Sequence, residues 1–308
     1  MATTRHLGLD LGGTNVKQAV VGRDGGTWSV LARSQVPTRY AADPEGVPAG
    51  IVAQLGEMAV AAMDESGPIA SIGIGMPGLT RPATGRARSM VNIPGPWEGL
   101  AIAEPVTAAT GVPTHVINDA RAFGLAELRL GAARGASSMV GLTLGTGVGG
   151  VIALDGRVHL GHDGTAGEIG HQTIDPDGPW CNCGNRGCLE AYARADQICA
   201  ACGTATVEEA VRLARDGEPR ALAGLRDAGR YLGIGIANMI TVFAPDLVVI
   251  GGGVSAAGDV LLEPIRAEIA KRVLMTALDR VTLVQAELGT WAGSIGAAVH
   301  GAERAAEA

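Results

Sequence analysis

Lysine is nearly missing from this chain: it stands only at Lys17 and Lys271, and almost every other basic residue is arginine. No basic run is present and the formal net charge is -7, which excludes a nucleic-acid footprint. Cysteine is absent outside residues 181–202, where all five lie. An odd, clustered set does not make a secreted disulfide framework; it reads as metal binding in a reducing cytosol, and the chain is placed in the cytoplasm. The opening MATTRHLGLDLGGTN has no apolar h-region or cleavage site and is expected to run straight into structure. An unbroken membrane-length apolar run is also lacking. The most apolar stretch, 232–250, contains Asn238, Pro245 and Asp246, and is expected to be a buried helix followed by a core strand. Charged residues are 18% against 47% hydrophobic, which excludes a disordered chain, and 308 residues leave room for two domains.

Glycine is what the chain has in quantity, 47 residues. The first cluster lies in RHLGLDLGGTNVKQAVV, residues 5–21. Leu7, Leu9 and Leu11 alternate before the glycines, and Val16, Gln18 and Val20 share a face after them. That pattern predicts strand, tight turn, strand, unlike a P-loop, whose glycines lead into a helix. A hairpin tip of Gly12, Gly13 and Thr14 presents backbone N–H groups and a hydroxyl that can hold phosphate. Asp10 precedes the tip, where a carboxylate can organise hydrated Mg²⁺, and Lys17 follows it. A glycine hairpin that binds nothing has the same local pattern. The pattern recurs, however, in VGLTLGTGVGGVIAL at 140–154. Thr143, Gly145, Thr146 and Gly147 there correspond to the first tip and its preceding acid. A repeat at this separation predicts two similar α/β domains facing each other, with two phosphate-holding hairpins to clamp a nucleotide triphosphate.

Between the hairpins, 44–63 has helical periodicity through Ile51, Leu55, Met58 and Ala62. A short buried strand at 69–75 ends in G-M-P-G, which brings the backbone at Gly78 close to whatever lies at the strand end. Asn92 and Trp97 fall in the proline-restricted loop VNIPGPWEG; Asn92 suits a hydroxyl ligand or a turn. Asn118 and Asp119 sit where strand 114–118 gives way to a helix, the usual ligand position in open α/β sheets. Asp119 can take a proton from a hydroxyl, or simply cap the helix. Later elements are a long helix at 217–243, a strand at 246–250 running into Gly251, Gly252 and Gly253, a helix at 261–273, a strand at 281–285 and a last helix from 293. The last helix is expected to pack back on the first domain. The three glycines would let a base or ribose approach the backbone.

The remaining cluster is HQTIDPDGPWCNCGNRGCLE at 171–190. Cys181, Cys183 and Cys188 stand at C-x-C-x4-C spacing with glycines between, and His171 can complete a closed Cys3His shell. That donor set predicts structural zinc. The metal would then fix the turn that carries Glu168, and Glu190 follows the last cysteine by two residues. Cys199 and Cys202 read as helical packing residues.

Together, GEIGH at 167–171 with CNCGNRGCLE at 181–190, LDLGGTNVK, INDA, LTLGTGVGG and VIGGGVS resemble the motifs of the ROK family in their expected order. The resemblance covers nearly the whole chain. It implies two actin-like (ribonuclease H-like) α/β domains flanking a cleft, with a small zinc knuckle: 1–118 with the helix 293–308, and 119–292 containing the loop 171–190. It implies an ATP-dependent hexose kinase acting on the 6-hydroxyl of glucose, with fructose, mannose and N-acetylated hexosamines as alternative acceptors, polyphosphate as an alternative donor, and a homo-oligomeric state. By the same resemblance Asp119 is the general base, and Gly78, Asn92, Asn118, Glu168, His171 and Glu190 surround the sugar. Asp10 assists Mg²⁺; Gly12 to Thr14, Lys17, Thr143 and Gly145 to Gly147 serve the phosphates of ATP; Gly251 to Gly253 lie by its adenosine. Non-catalytic ROK regulators carry a DNA-binding segment ahead of the first motif, for which the residues before Asp10 leave no room. Two departures stand out. Arg121 replaces a frequent asparagine after Asp119, as a cation beside the ligand or as a solvent-facing side chain. Pro96 adds a residue between Asn92 and Trp97.

Overall fold

The computed structural model describes residues 3–81, 84–90 and 93–307. In chain order the elements are β1 (Thr4–Leu11), β2 (Asn15–Asp24), β3 (Thr27–Pro37), α1 (Val47–Ser66), β4 (Ser71–Met76), β5 (Gly78–Arg81), β6 (Arg86–Met90), α2 (Ala103–Thr110), β7 (Thr114–Asn118) and α3 (Asp119–Arg129). There follow β8 (Met139–Leu144), β9 (Val148–Leu154), β10 (Arg157–Val158), α4 (Glu190–Ala193), α5 (Ala195–Cys202), α6 (Val207–Arg215), α7 (Pro219–Phe243), β11 (Leu247–Gly251), α8 (Asp259–Arg272), β12 (Thr282–Gln285) and α9 (Ala292–Glu307). The chain divides into two compact units. The first runs to Arg134 and includes Leu160–Ala166 and everything from Thr290; the second comprises Gly135–His159 and Gly167–Gly289.

The first unit is built on a five-stranded mixed sheet in the order β3-β2-β1-β4-β7. Its first three strands are antiparallel, and β4 and β7 then add in parallel to β1. Alternation along β1 assigns its two faces. Leu7, Leu9 and Leu11 are buried in one cluster with Ile51 and Leu55 of α1. Gly8 faces the other way, against α9, and a Cβ there would lie 1.8 Å from the Ser294 carbonyl oxygen. Gly73 on β4 repeats the device, 1.7 Å from the Ala297 oxygen. The helix therefore rests directly on strand backbone, an approach only glycine permits. Gly296 of α9 makes the same kind of contact with Ala122 of α3. Residue 118, the expected domain boundary, consequently falls inside this unit, because the helix that follows it packs on α9.

The second unit repeats the topology in the order β10-β9-β8-β11-β12. Again three antiparallel strands come first, followed by two added in parallel. Its core joins β8, β9 and β11 to the apolar stripes of α5 to α8, including Leu225, Leu232, Ile236 and Ile240 of α7. The apolar stretch through residue 250 is thus a buried helix followed by a buried strand. Cys202 lies in this core at the end of α5.

Replacing Gly73 by alanine is expected to lower the unfolding free energy by about 3 kcal/mol, because neither backbone can give way. Gly50, exposed on α1 with nothing within 4 Å of a Cβ, is the control: alanine there should be neutral or stabilising by up to about 1 kcal/mol. Urea denaturation of the two variants checks the contrast; equal effects would remove the close-approach argument.

Candidate active site

The first hairpin closes as its sequence implies. Gly12 N–H donates to the Asn15 carbonyl at 2.9 Å, and Asp10 lies opposite Lys17 in the register. Two residues that the sequence reading missed prop the tip from behind. The Thr38 hydroxyl donates to the Gly12 carbonyl at 2.7 Å and the Tyr40 hydroxyl to the Gly13 carbonyl at 2.6 Å. Gly13 and Thr14 remain exposed at the tip, where their polar groups can meet an anion. Lys17 does not extend freely; its ammonium donates to the Thr290 carbonyl at 2.9 Å.

Asp10 is partly buried at the end of β1, under the first turn of α9, where a Cβ on Gly293 would stand 2.3 Å from its Oδ2. Burial and, secondarily, the negative charge of Asp119 push the Asp10 carboxyl up to about 7, opposed by Lys17. Two carboxylates near one another are a hard-oxygen donor set suited to hydrated Mg²⁺.

Asp119 opens α3, and Asn118 caps it. The Asn118 Oδ1 accepts from the N–H groups of Ala120 at 3.0 Å and Arg121 at 3.2 Å, while its Nδ2 donates to the Gly78 carbonyl at 2.9 Å. The strand-end turn at Gly78 is thereby tied to the strand–helix junction. Of the alternatives in the sequence, the structure displays the cap, made by Asn118, and the cap orients the residue beside it. Arg121 does not face solvent, since it is only 2% exposed and its guanidinium bonds within the fold. Asn92 lies outside the described residues. Trp97, five residues later, is buried and donates its indole N–H to the carbonyls of Ile93 and Pro94, both at 3.2 Å.

In the second unit the loop after Glu168 gathers four donors. Ligand atoms of His171, Cys181, Cys183 and Cys188 all lie within 4.8 Å of one another. Cys183 and Cys188 sulfurs are 3.6 Å apart, and Cys181 Sγ is 3.7 Å from His171 Nδ1. Tetrahedral zinc with bonds of about 2.3 Å to sulfur places its ligands about 3.8 Å apart, so the set fits. Burial, then the adjoining thiols, push Cys188 up to about 12. A divalent cation is what allows such a group of thiols to ionise together. Gly187, at φ 66°, brings the loop within 1.5 Å, for a would-be Cβ, of the Asp175 carbonyl oxygen. The other face of His171 looks away from sulfur: Nε2 is 3.8 Å from the Glu168 carboxylate.

Glu190 supplies a link that sequence did not disclose. Its Oε2 accepts from the Val148 N–H at 2.9 Å and stands 2.5 Å from where a Cβ on Gly147 would be. The cysteine loop is thus joined through one carboxylate to the second glycine hairpin. That hairpin closes with Gly145 N–H on the Gly147 carbonyl at 2.9 Å, leaving Thr146 exposed and Thr143 half-buried at the end of β8. Gly251 ends β11; Gly252 (φ 85°) and Gly253 are exposed.

The ROK family profile matches residues 6–302. The chain belongs to the ROK family. It is 32% identical to the glucokinase of Thermotoga maritima, over 97% of both chains. A solved ROK hexokinase from Thermus thermophilus superposes with a TM-score of 0.83 at 35% identity, over 99% of this chain and 100% of that one. A ROK glucokinase from Streptomyces griseus in complex with glucose and AMPPNP gives 0.81 at 30% identity, over 98% and 100%. A ROK transcriptional regulator gives 0.85 at 30%, over 96% of this chain but 77% of that one.

For this ROK protein the Asp10 shift has a measurable sign. Between about pH 4 and 7 the folded state keeps a proton that the unfolded state has lost. Stability from this group is complete below the unfolded value and is lost as pH rises through the folded one. In chelator, unfolding free energy should fall across that window by up to about 1.4 kcal/mol per pH unit. The Asp10→Asn variant should lack that component; parallel slopes in urea titrations of both proteins would contradict the assignment.

Proposed function

We propose that the protein is an ATP-dependent kinase that transfers the γ-phosphoryl group to the 6-hydroxyl of glucose. The observation that carries the reading is Asp119, held beside Asn118 at a capped strand–helix junction in a chain similar along its whole length to glucokinases. Asp119 accepts the proton of the 6-hydroxyl as that oxygen bonds to the γ-phosphorus. The bond from phosphorus to the bridging oxygen breaks, and ADP leaves with its electron pair. Because such a transition state is largely a matter of charge, catalysis is positioning and neutralisation. Gly12 and Gly145 close the two turns with their N–H groups, those at Gly13, Thr14, Thr146 and Gly147 serve the phosphates, and Gly251 to Gly253 the adenosine. Mg²⁺ near Asp10 would offset phosphate charge. Gly78, Asn92, Asn118, Glu168, His171 and Glu190 are assigned to the sugar.

Zinc on Cys181, Cys183, Cys188 and His171 takes no part in the transfer. When bound it would fix the imidazole whose far nitrogen lies 3.8 Å from the Glu168 carboxylate, and a reducing cytoplasm would keep its thiols available. A second reading, a sugar-responsive regulator without turnover, draws on the likeness to the ROK regulator.

An ADP-release assay with glucose, mannose, fructose and N-acetylated hexosamines separates the two, since the regulator reading requires no turnover with any of them. Asp119→Asn should lower kcat by about a thousandfold while glucose binding by calorimetry persists; undiminished turnover would remove Asp119 as the base. Metal analysis should give about one zinc per chain. Cys183→Ser should lose it and bind glucose about tenfold more weakly; unchanged affinity in zinc-free protein would refute the anchoring role.

A further inference from the structure

Arg121 is among the largest fully buried side chains of the protein. Its guanidinium spans two stretches of the first unit. Nε donates to the Ala166 carbonyl at 3.0 Å and Nη2 to the Thr165 carbonyl at 3.1 Å, which anchors the excursion Leu160–Ala166. Nη1 donates at 2.9 Å to the Asn118 Oδ1, the same oxygen that caps α3. A planar fork can serve three acceptors in fixed directions; an ammonium on a flexible stem cannot.

The geometry fixes two things at once. With its oxygen held by Arg121, the Asn118 amide keeps its nitrogen toward Gly78, and the turn that begins α3 at Asp119 has one arrangement. The segment ending at Ala166 is also held, two residues before Glu168. We propose that Arg121 is a positioning residue for the acceptor sugar, setting the Asn118–Asp119 junction and the chain that leads into Glu168 without touching the substrate. The inference rests on the kinase reading for its kinetic consequence, but not for its structural one. A cavity of about 170 Å³ adjoins the site, lined by Arg121, Asn118, Ile117, Leu160 and Gly164 together with His300. Small cations can therefore reach the space a truncated Arg121 would leave.

The test uses the full-length protein and its Arg121→Ala and Arg121→Lys variants. Hydrogen exchange over residues 160–166 and at the first amides of α3 should accelerate about tenfold or more in both, while the amides of the cysteine loop are unchanged. With glucose and ATP, the KM for glucose should rise about tenfold or more and the KM for ATP stay within about twofold, since misplacement falls on the acceptor alone. Low concentrations of guanidinium, but not of urea, should restore part of the activity of Arg121→Ala through the adjoining cavity. Lysine should not rescue. If alanine prevents folding, Arg121→Lys carries the same exchange and KM expectations. Wild-type exchange over 160–166, or equal increases in both KM values, would overturn the proposal. Should the wild-type protein phosphorylate no sugar, the kinase reading falls, and the exchange measurement alone decides whether Arg121 holds the junction.

Discussion

Contact of a helix with bare strand backbone is the constraint on which the first unit rests. α9 meets β1 and β4 at Gly8 and Gly73, where any side chain would collide with carbonyl groups of the helix. The same close seating brings Gly293 over Asp10 and puts Thr290 within reach of Lys17. The acid at the end of β1 is thus half enclosed by a helix from far along the sequence, and its raised proton affinity is a product first of packing and then of its neighbour Asp119. Stability and chemistry share one set of glycines.

The two sheets have one topology and divergent hairpin ends. Asp10 is paired with a lysine across the first hairpin, and hydroxyls from Thr38 and Tyr40 support the tip. Thr143 stands at the corresponding place in the second, and its support is the Glu190 carboxylate on Val148 N–H. Support by neutral hydroxyls engages only the carbonyls of the first tip and brings no charge to it. Support by a carboxylate spends a backbone donor, but joins the second tip to the histidine–cysteine cluster. Equivalent backbones therefore carry different electrostatics.

Much of this was legible in the sequence. Strict alternation at Leu7, Leu9 and Leu11 marks β1, and a period near 3.6 marks α7. Cysteine spacing located the four metal donors because such chemistry demands local chain geometry. Other features left no such trace. β3 is an edge strand exposed along nearly its whole length, so no apolar period announces it. The β5–β6 pair is short and, among the described residues, forms a two-stranded sheet of its own. Arg121 could be read as pointing anywhere, because the carbonyls that receive it belong to residues 165 and 166, and backbone acceptors have no sequence signature. Glu190 and Val148 lie 42 positions apart, and a carboxylate bonding to an amide imposes no residue type on its partner.

The way the first unit is assembled has a consequence for biogenesis. Its sheet begins with residues that leave the ribosome before those of the second unit, whereas the helix that covers Gly8 and Gly73 is made after them. Throughout most of translation the nascent strands carry an uncovered, side-chain-poor surface, while the second unit already has its strands and helices in hand before Thr290 emerges. The second unit can accordingly close while the first still lacks the helix that covers its sheet.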